Sequence, residues 1–130
     1  MAIKINYIFE GRKIMRVFRI ILTIMCIYIV GYTSITISNH GWNLFPIFFG
    51  DMAEMAWPGQ FNLDFMSFLI LSGLWVAWRN NYSATGLALS VVAFLGGIMF
   101  LAPYLLYLSF QSNGNMKEFF MGRGRNVNKM

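Results

Sequence analysis

The sequence predicts an all-α integral membrane protein: three transmembrane helices, with an interfacial or re-entrant segment between the first and the second. Three observations lead there. Hydrophobic residues make up 58% of the chain and charged residues 12%, against roughly 45–50% and roughly 25% in soluble domains. Thirteen Phe, ten Met, six Tyr and four Trp are more apolar bulk than one small domain can bury, because its surface is large for its volume. The apolar residues also fall into runs of bilayer-spanning length separated by polar breaks.

Residues 1–16 form a basic amphipathic segment. Lys4, Arg12, Lys13 and Arg16 interleave with Ile3, Ile5, Tyr7, Ile8, Ile14 and Met15, a pattern suited to a membrane surface. Residues 17–37 are apolar except for Arg19. That run exceeds the roughly 7–15 residues of a signal-peptide core, so it reads as a retained first span. Asn39, His40 and Gly41 break it. Residues 45–57 are apolar but too short to cross, which predicts an interfacial or re-entrant piece. Phe45, Phe48, Phe49, Met52 and Met55 share one helical face and Asp51 and Glu54 another, with Trp57-Pro58-Gly59 as the stop. The second span is expected over 63–78, closed by Arg79. The third covers 87–110, with a bend near Met99 where Pro103 leaves a carbonyl unpaired. Residues 111–130 read as a loose, basic, polar tail.

Charge predicts orientation. Through Arg19 there are five basic residues against Glu10, whereas 38–64 holds three carboxylates and no Lys or Arg. The positive-inside rule then puts the N-terminus in the cytoplasm and the 45–57 segment outside, as in a bacterial inner membrane. With three spans the basic tail falls outside, against the same rule.

Helices in lipid gain little from hydrophobic contact, so small residues that allow close approach become the expected contact faces. Gly86, Ser90, Ala93 and Gly97 form such a stripe on the third span, Gly73 and Ala77 on the second, and Gly31 and Ser34 on the first. These faces serve packing within the bundle, docking onto other subunits, or both.

Few residues carry chemistry. Cys26 is alone, so neither an intramolecular disulfide nor a multi-cysteine metal site can form. His40 is the only imidazole and the weak candidate for a metal or porphyrin ligand; beside Gly41 and Trp42 it also reads as a turn residue. No motif implies a specific cofactor, and the familiar nucleotide-binding, hydrolase and zinc-protease patterns are absent. Asp64 has two readings. It is either a first-turn acid behind an Asn62 cap, favoured by the helix dipole, or a carboxylate kept in the bundle as a proton, cation or ligand site. With Asp51 and Glu54 it would make an acidic site, with Arg79 at the other end of the same helix.

Leu63-Asp64-Phe65, Trp75-Val76-Ala77-Trp78-Arg79, Gly86-Leu87-Ala88-Leu89 and the stretch from Gly96-Gly97 through Leu101-Ala102-Pro103-Tyr104-Leu105-Leu106-Tyr107-Leu108 resemble the small bacterial three-helix membrane proteins of domain-of-unknown-function family 2834. The resemblance spans about half of the chain. It departs where that family has paired arginines, since Asn80 and Asn81 follow Arg79. It implies three spans, singles out Asp64, Arg79 and Pro103, and implies no activity.

Two function classes follow. One is a small non-catalytic accessory or structural subunit of a larger membrane complex, with lipid and other membrane subunits as partners and no nucleic acid. The other is a small membrane enzyme, or an ion- or proton-permeation unit, built on Asp64, Asp51 and Glu54.

Overall fold

Between Ala2 and His40 the chain has no proline and glycine only at 11 and 31, so nothing stops a helix once it has started. In the computed structural model, which describes residues 1–123, this stretch is one helix, α1 (Ala2–His40), of 39 residues. It is about 58 Å long at the helical rise. The expected separate segment over 1–16 is therefore the opening turns of α1. Its Lys, Arg and Glu residues are good helix formers, and no break falls between them and the apolar run. Gly41, at φ 80°, ends the helix, and its N–H donates to the Ile37 carbonyl at 2.8 Å.

Helix α2 (Phe45–Ala53) carries Pro46 in its first turn. Met55, at φ 56°, and the extended Ala56 reverse the chain into α3 (Trp57–Arg79). This corrects two expectations. Pro58 opens α3 instead of ending α2, because a first-turn residue has no N–H partner to lose. Asn62 is consequently inside the helix and caps nothing. Its side-chain amide donates to the Phe48 carbonyl at 3.1 Å and to Asp51 Oδ2 at 3.2 Å, tying α2 to α3. A Cβ at Gly59 would collide with the Asp51–Met52 backbone, so this packing requires glycine.

Asn81 and Tyr82, at φ 56° and 53°, turn the chain after α3. Ser83 Oγ accepts from the Gly86 N–H at 3.1 Å and caps α4 (Ala84–Gly96). The expected third span then fails. Gly97 adopts φ 55° and ψ −138°, interrupts the run, and starts α5 (Ile98–Ser112). Helix α4 runs antiparallel to α3: Gly86 lies against Asn80, Ser90 against Gly73, and Gly97 against Phe65 and Leu69. Helix α5 then returns in the direction of α3. Its Tyr104 hydroxyl accepts from Asn80 Nδ2 at 2.9 Å and its ring meets Trp75 edge-on at 6.3 Å.

At 13 and 15 residues, α4 and α5 are about 20 and 22 Å long, short of a hydrocarbon core of about 30 Å. The third apolar run is thus a helical hairpin that climbs part of the way along α3 and comes back. Pro103 lies inside α5, which continues past it to Ser112; the break falls at Gly97, not at Met99. Only glycine takes a positive φ without steric penalty, whereas Pro103 removes a single backbone bond.

The hairpin also returns residues 116–121 to the end of the molecule from which a continuous third helix would have carried them away. Helix α6 (Met116–Met121), capped by Asn115 Oδ1, sits beside the basic part of α1. There Met15, Leu108 and Phe119 form a buried cluster, with Phe18 edge-on to Phe119 at 5.7 Å. The first part of the expected loose tail is therefore ordered helix; Arg125 and Lys129 lie outside the described residues. Helices α1 and α3 are long and apolar enough to cross a membrane.

Gly97→Ala brings a Cβ to 3.0 Å from the Phe65 ring at a positive φ. It is expected to lower stability in detergent by about 1–3 kcal/mol. Leu95→Met, at a position 66% exposed, is expected to be nearly silent in the same thermal unfolding measurement.

Candidate functional site

The basic part of α1, the end of α3, the last turns of α5 and α6 converge at one end of the molecule, where two arginines tie them together. Arg19 Nε donates to Ser109 Oγ at 3.0 Å and Nη2 to the Ser109 carbonyl at 2.7 Å. Its guanidinium also lies 4.1 Å from the centroid of the Phe110 ring, a favourable cation–π distance. Ser109 is fully buried, and its hydroxyl donates onward to the Leu106 carbonyl at 2.7 Å. Arg79, buried at the end of α3, donates from Nε to the Phe119 carbonyl at 2.8 Å and from Nη2 to the Glu118 carbonyl at 3.3 Å. Both arginines thus satisfy backbone carbonyls with a charged donor, which is stronger than a neutral one. The planar fork presents its donors to two acceptors in a fixed geometry, which the rotating ammonium of lysine does not.

Lys4, Arg12, Lys13, Arg16, Arg19, Arg79, Lys117 and Arg123 all lie at or beyond this end. Asp51, Glu54 and Asp64 lie toward the other. Among the described residues the only ion pair is Arg123–Glu118, at 2.8 Å and largely exposed.

The acidic residues are dispersed. Asp51 is half-buried and held by Asn62, and Glu54 is exposed at the end of α2. Asp64 is exposed on the eighth residue of α3, which removes its first-turn reading. Among the described residues no three His, Cys, Asp or Glu gather into a group that could hold a metal ion. His40 is the exposed last residue of α1, and Cys26 is half-buried in its middle.

The small residues divide. Where α3 packs on α4, Gly73 meets Ser90 and Phe94, Gly86 meets Asn80, and Ala77 and Ala93 are buried; Ser90 Oγ donates to the Gly73 carbonyl at 2.7 Å. Gly97 is the hairpin turn and does not continue that helical stripe. Gly31 has nothing within 4 Å of where a Cβ would sit, and Ser34 Oγ turns back to the Val30 carbonyl at 2.7 Å.

Sequence reasoning missed Arg19, Ser109 and the Asn80–Tyr104 pair. The signal for Arg19 was present as the one charge inside residues 17–37. Its partner lies 90 positions away, so no local pattern could supply it. Comparison with known proteins adds no relative: no family model matches the chain, and no curated protein or solved structure is significantly similar to it.

Replacing Arg79 by Met keeps much of the apolar stem and removes both donors to α6. The variant is expected to lose about 1.5–3 kcal/mol, the worth of hydrogen bonds to a charged group. Faster amide exchange in 116–121 than in α4 is the local readout. Unchanged protection of α6 would mean that Phe119 alone holds it.

Proposed function

We propose that this chain is a small, non-catalytic subunit of a membrane protein complex, lying in a cytoplasmic membrane with α1 and α3 as spans and the α4–α5 hairpin entering from one side. The carrying observation is the contrast along α1. Its first turns are locked to α5 and α6 through Met15 and Arg19, yet no residue from 23 to 40 is buried. Lipid can cover that apolar length, but the smooth Gly31–Ser34 face suits a second helix at close range. A transmembrane helix of another subunit is the proposed partner. The three carboxylates that an acid-dependent enzyme or permeation unit would use are dispersed, so the subunit reading is the better supported of the two.

The hairpin bears on orientation. With two spans, every Lys and Arg of the described residues falls on one side, and the conflict posed by the basic tail disappears. The positive-inside rule then puts that side in the cytoplasm. A retained α1 is supported by its packing, since cleavage of a leader would remove Met15 from the buried cluster and Arg19 from Ser109.

In a Cys26→Ser background, single cysteines at 43 and 117 are expected to label from opposite sides of the membrane, and those at 13 and 117 from the same side. Labelling of 43 and 117 from one side would overturn the two-span arrangement.

Gly31→Leu tests the docking reading. The site is open, so the isolated chain should keep its thermal stability in detergent. Purified at native levels, the variant should lose a stoichiometric membrane partner that the unaltered chain retains. Gly73→Leu should instead destabilise the chain itself, because its Cβ already meets the Ser90 carbonyl at 3.2 Å. An unaltered chain that purifies as an isolated monomer would sink the proposal.

A further inference from the structure

We infer that the pocket between α1 and the α5–α6 turn binds the phosphate of an anionic phospholipid. The inference rests on the membrane reading above. Arg12, Arg16 and Arg19, spaced four and three apart, lie on one face of α1. With Met15, Asn113 and Gly114 they line a cavity of about 260 Å³. The turn is shaped to leave that space. Asn113 and Gly114 adopt φ 49° and 89°, and a Cβ at Gly114 would come within 2.8 Å of Arg12 Cγ. Gly11 in turn admits the Gly114 carbonyl, which would lie 2.6 Å from a Cβ at that position.

The electrostatics of the pocket are one-sided. No carboxylate lines it, and the only ion pair among the described residues is Arg123–Glu118. Arg19 is committed to Ser109 and Phe110, whereas Arg12 and Arg16 are exposed and, among the described residues, their side chains make no hydrogen bond. Like charges gathered without a counterion repel, and two unengaged guanidinium forks match the oxygen geometry of a phosphate. The lipid source follows from what adjoins the pocket. Val17, Ile20, Ile21 and Ile24 continue along α1 toward the far end, all exposed. A phosphate held at Arg12 and Arg16 can therefore lay its acyl chains along that surface.

The test uses the full chain in nanodiscs and in detergent. The double variant Arg12→Gln/Arg16→Gln is compared with Lys117→Gln/Arg123→Gln, which removes the same charge from the same end. Native mass spectrometry reads the retention of phosphatidylglycerol over phosphatidylcholine. The unaltered chain and the control should prefer phosphatidylglycerol, and the arginine variant should lose about tenfold of that preference, the factor for roughly one charge-assisted contact. Equal loss in both variants would overturn the pocket in favour of diffuse charge. Protection of the lipid-free protein against heat by inorganic phosphate, as strong as that by phosphatidylglycerol, would overturn the lipid source. Alkaline extraction of the membranes separates the two readings. Release of the unaltered chain sinks the membrane assignment itself, while retention with no lipid preference sinks only the pocket.

Discussion

A single backbone conformation at Gly97 governs the arrangement of everything after α4. Had that residue continued the helix, α4 and α5 would form one rod of spanning length and carry the C-terminal part of the chain away from the N-terminal turns of α1. With φ at 55°, the rod folds into a hairpin. Its return arm then delivers Leu108 and Ser109 to Met15 and Arg19, and α6 beyond it adds Phe119. The buried cluster and the α1–α5 contact both depend on this turn.

The two arginines solve a related problem. Helices that end near one another leave carbonyls without helical partners, and burying such groups unpaired is unfavourable. Arg79 takes two carbonyls of the short helix α6, which at six residues has too few internal bonds to persist alone. Arg19 takes the Ser109 carbonyl in the last turn of α5. Each side chain crosses between elements distant in sequence, so the basic end is held by directed bonds while the α3–α4 contact relies on close packing of Gly73, Ala77, Gly86, Ser90 and Ala93.

Composition and run length make the helical class legible, and the small residues of α3 and α4 stand out in the sequence as possible contact faces. The limits of such a reading are physical. Pro58 after Trp57 suits either the end of one helix or the first turn of the next, and the choice depends on Asn62 reaching across to α2. Gly96-Gly97 inside an apolar run is compatible with a smooth helical face as well as with a reversal. What decides it is the contact of Gly97 with Phe65 and Leu69, which belongs to tertiary structure. Pro103 drew attention as the obvious helix breaker, yet losing one hydrogen bond is a weaker demand than a positive φ. For the candidate site, Arg79 was legible as the charge closing a span. Its acceptors on α6 were not, because a stretch rich in Asn, Gly and Lys looks like a tail until a buried Phe119 anchors it.

The partial depth of the hairpin leaves the molecule a waist between Gly97 and α2. At the basic end α1, α3, α4 and α5 lie side by side, whereas beyond Gly97 and before α2 only α1 and α3 continue. Each helix with its side chains is about 10 Å across, so the cross-section is smallest in the short stretch between Gly97, level with Phe65, and the α2 contacts at Gly59 and Asn62. Under the membrane placement proposed above, that stretch would be open to lipid beside α1 and α3. Phe61, Phe65 and Phe68 are exposed around it, and acyl chains would fill the space that a longer hairpin would have taken. The depth of the hairpin would then set how much lipid, and not only which protein neighbour, the two proposed spans meet.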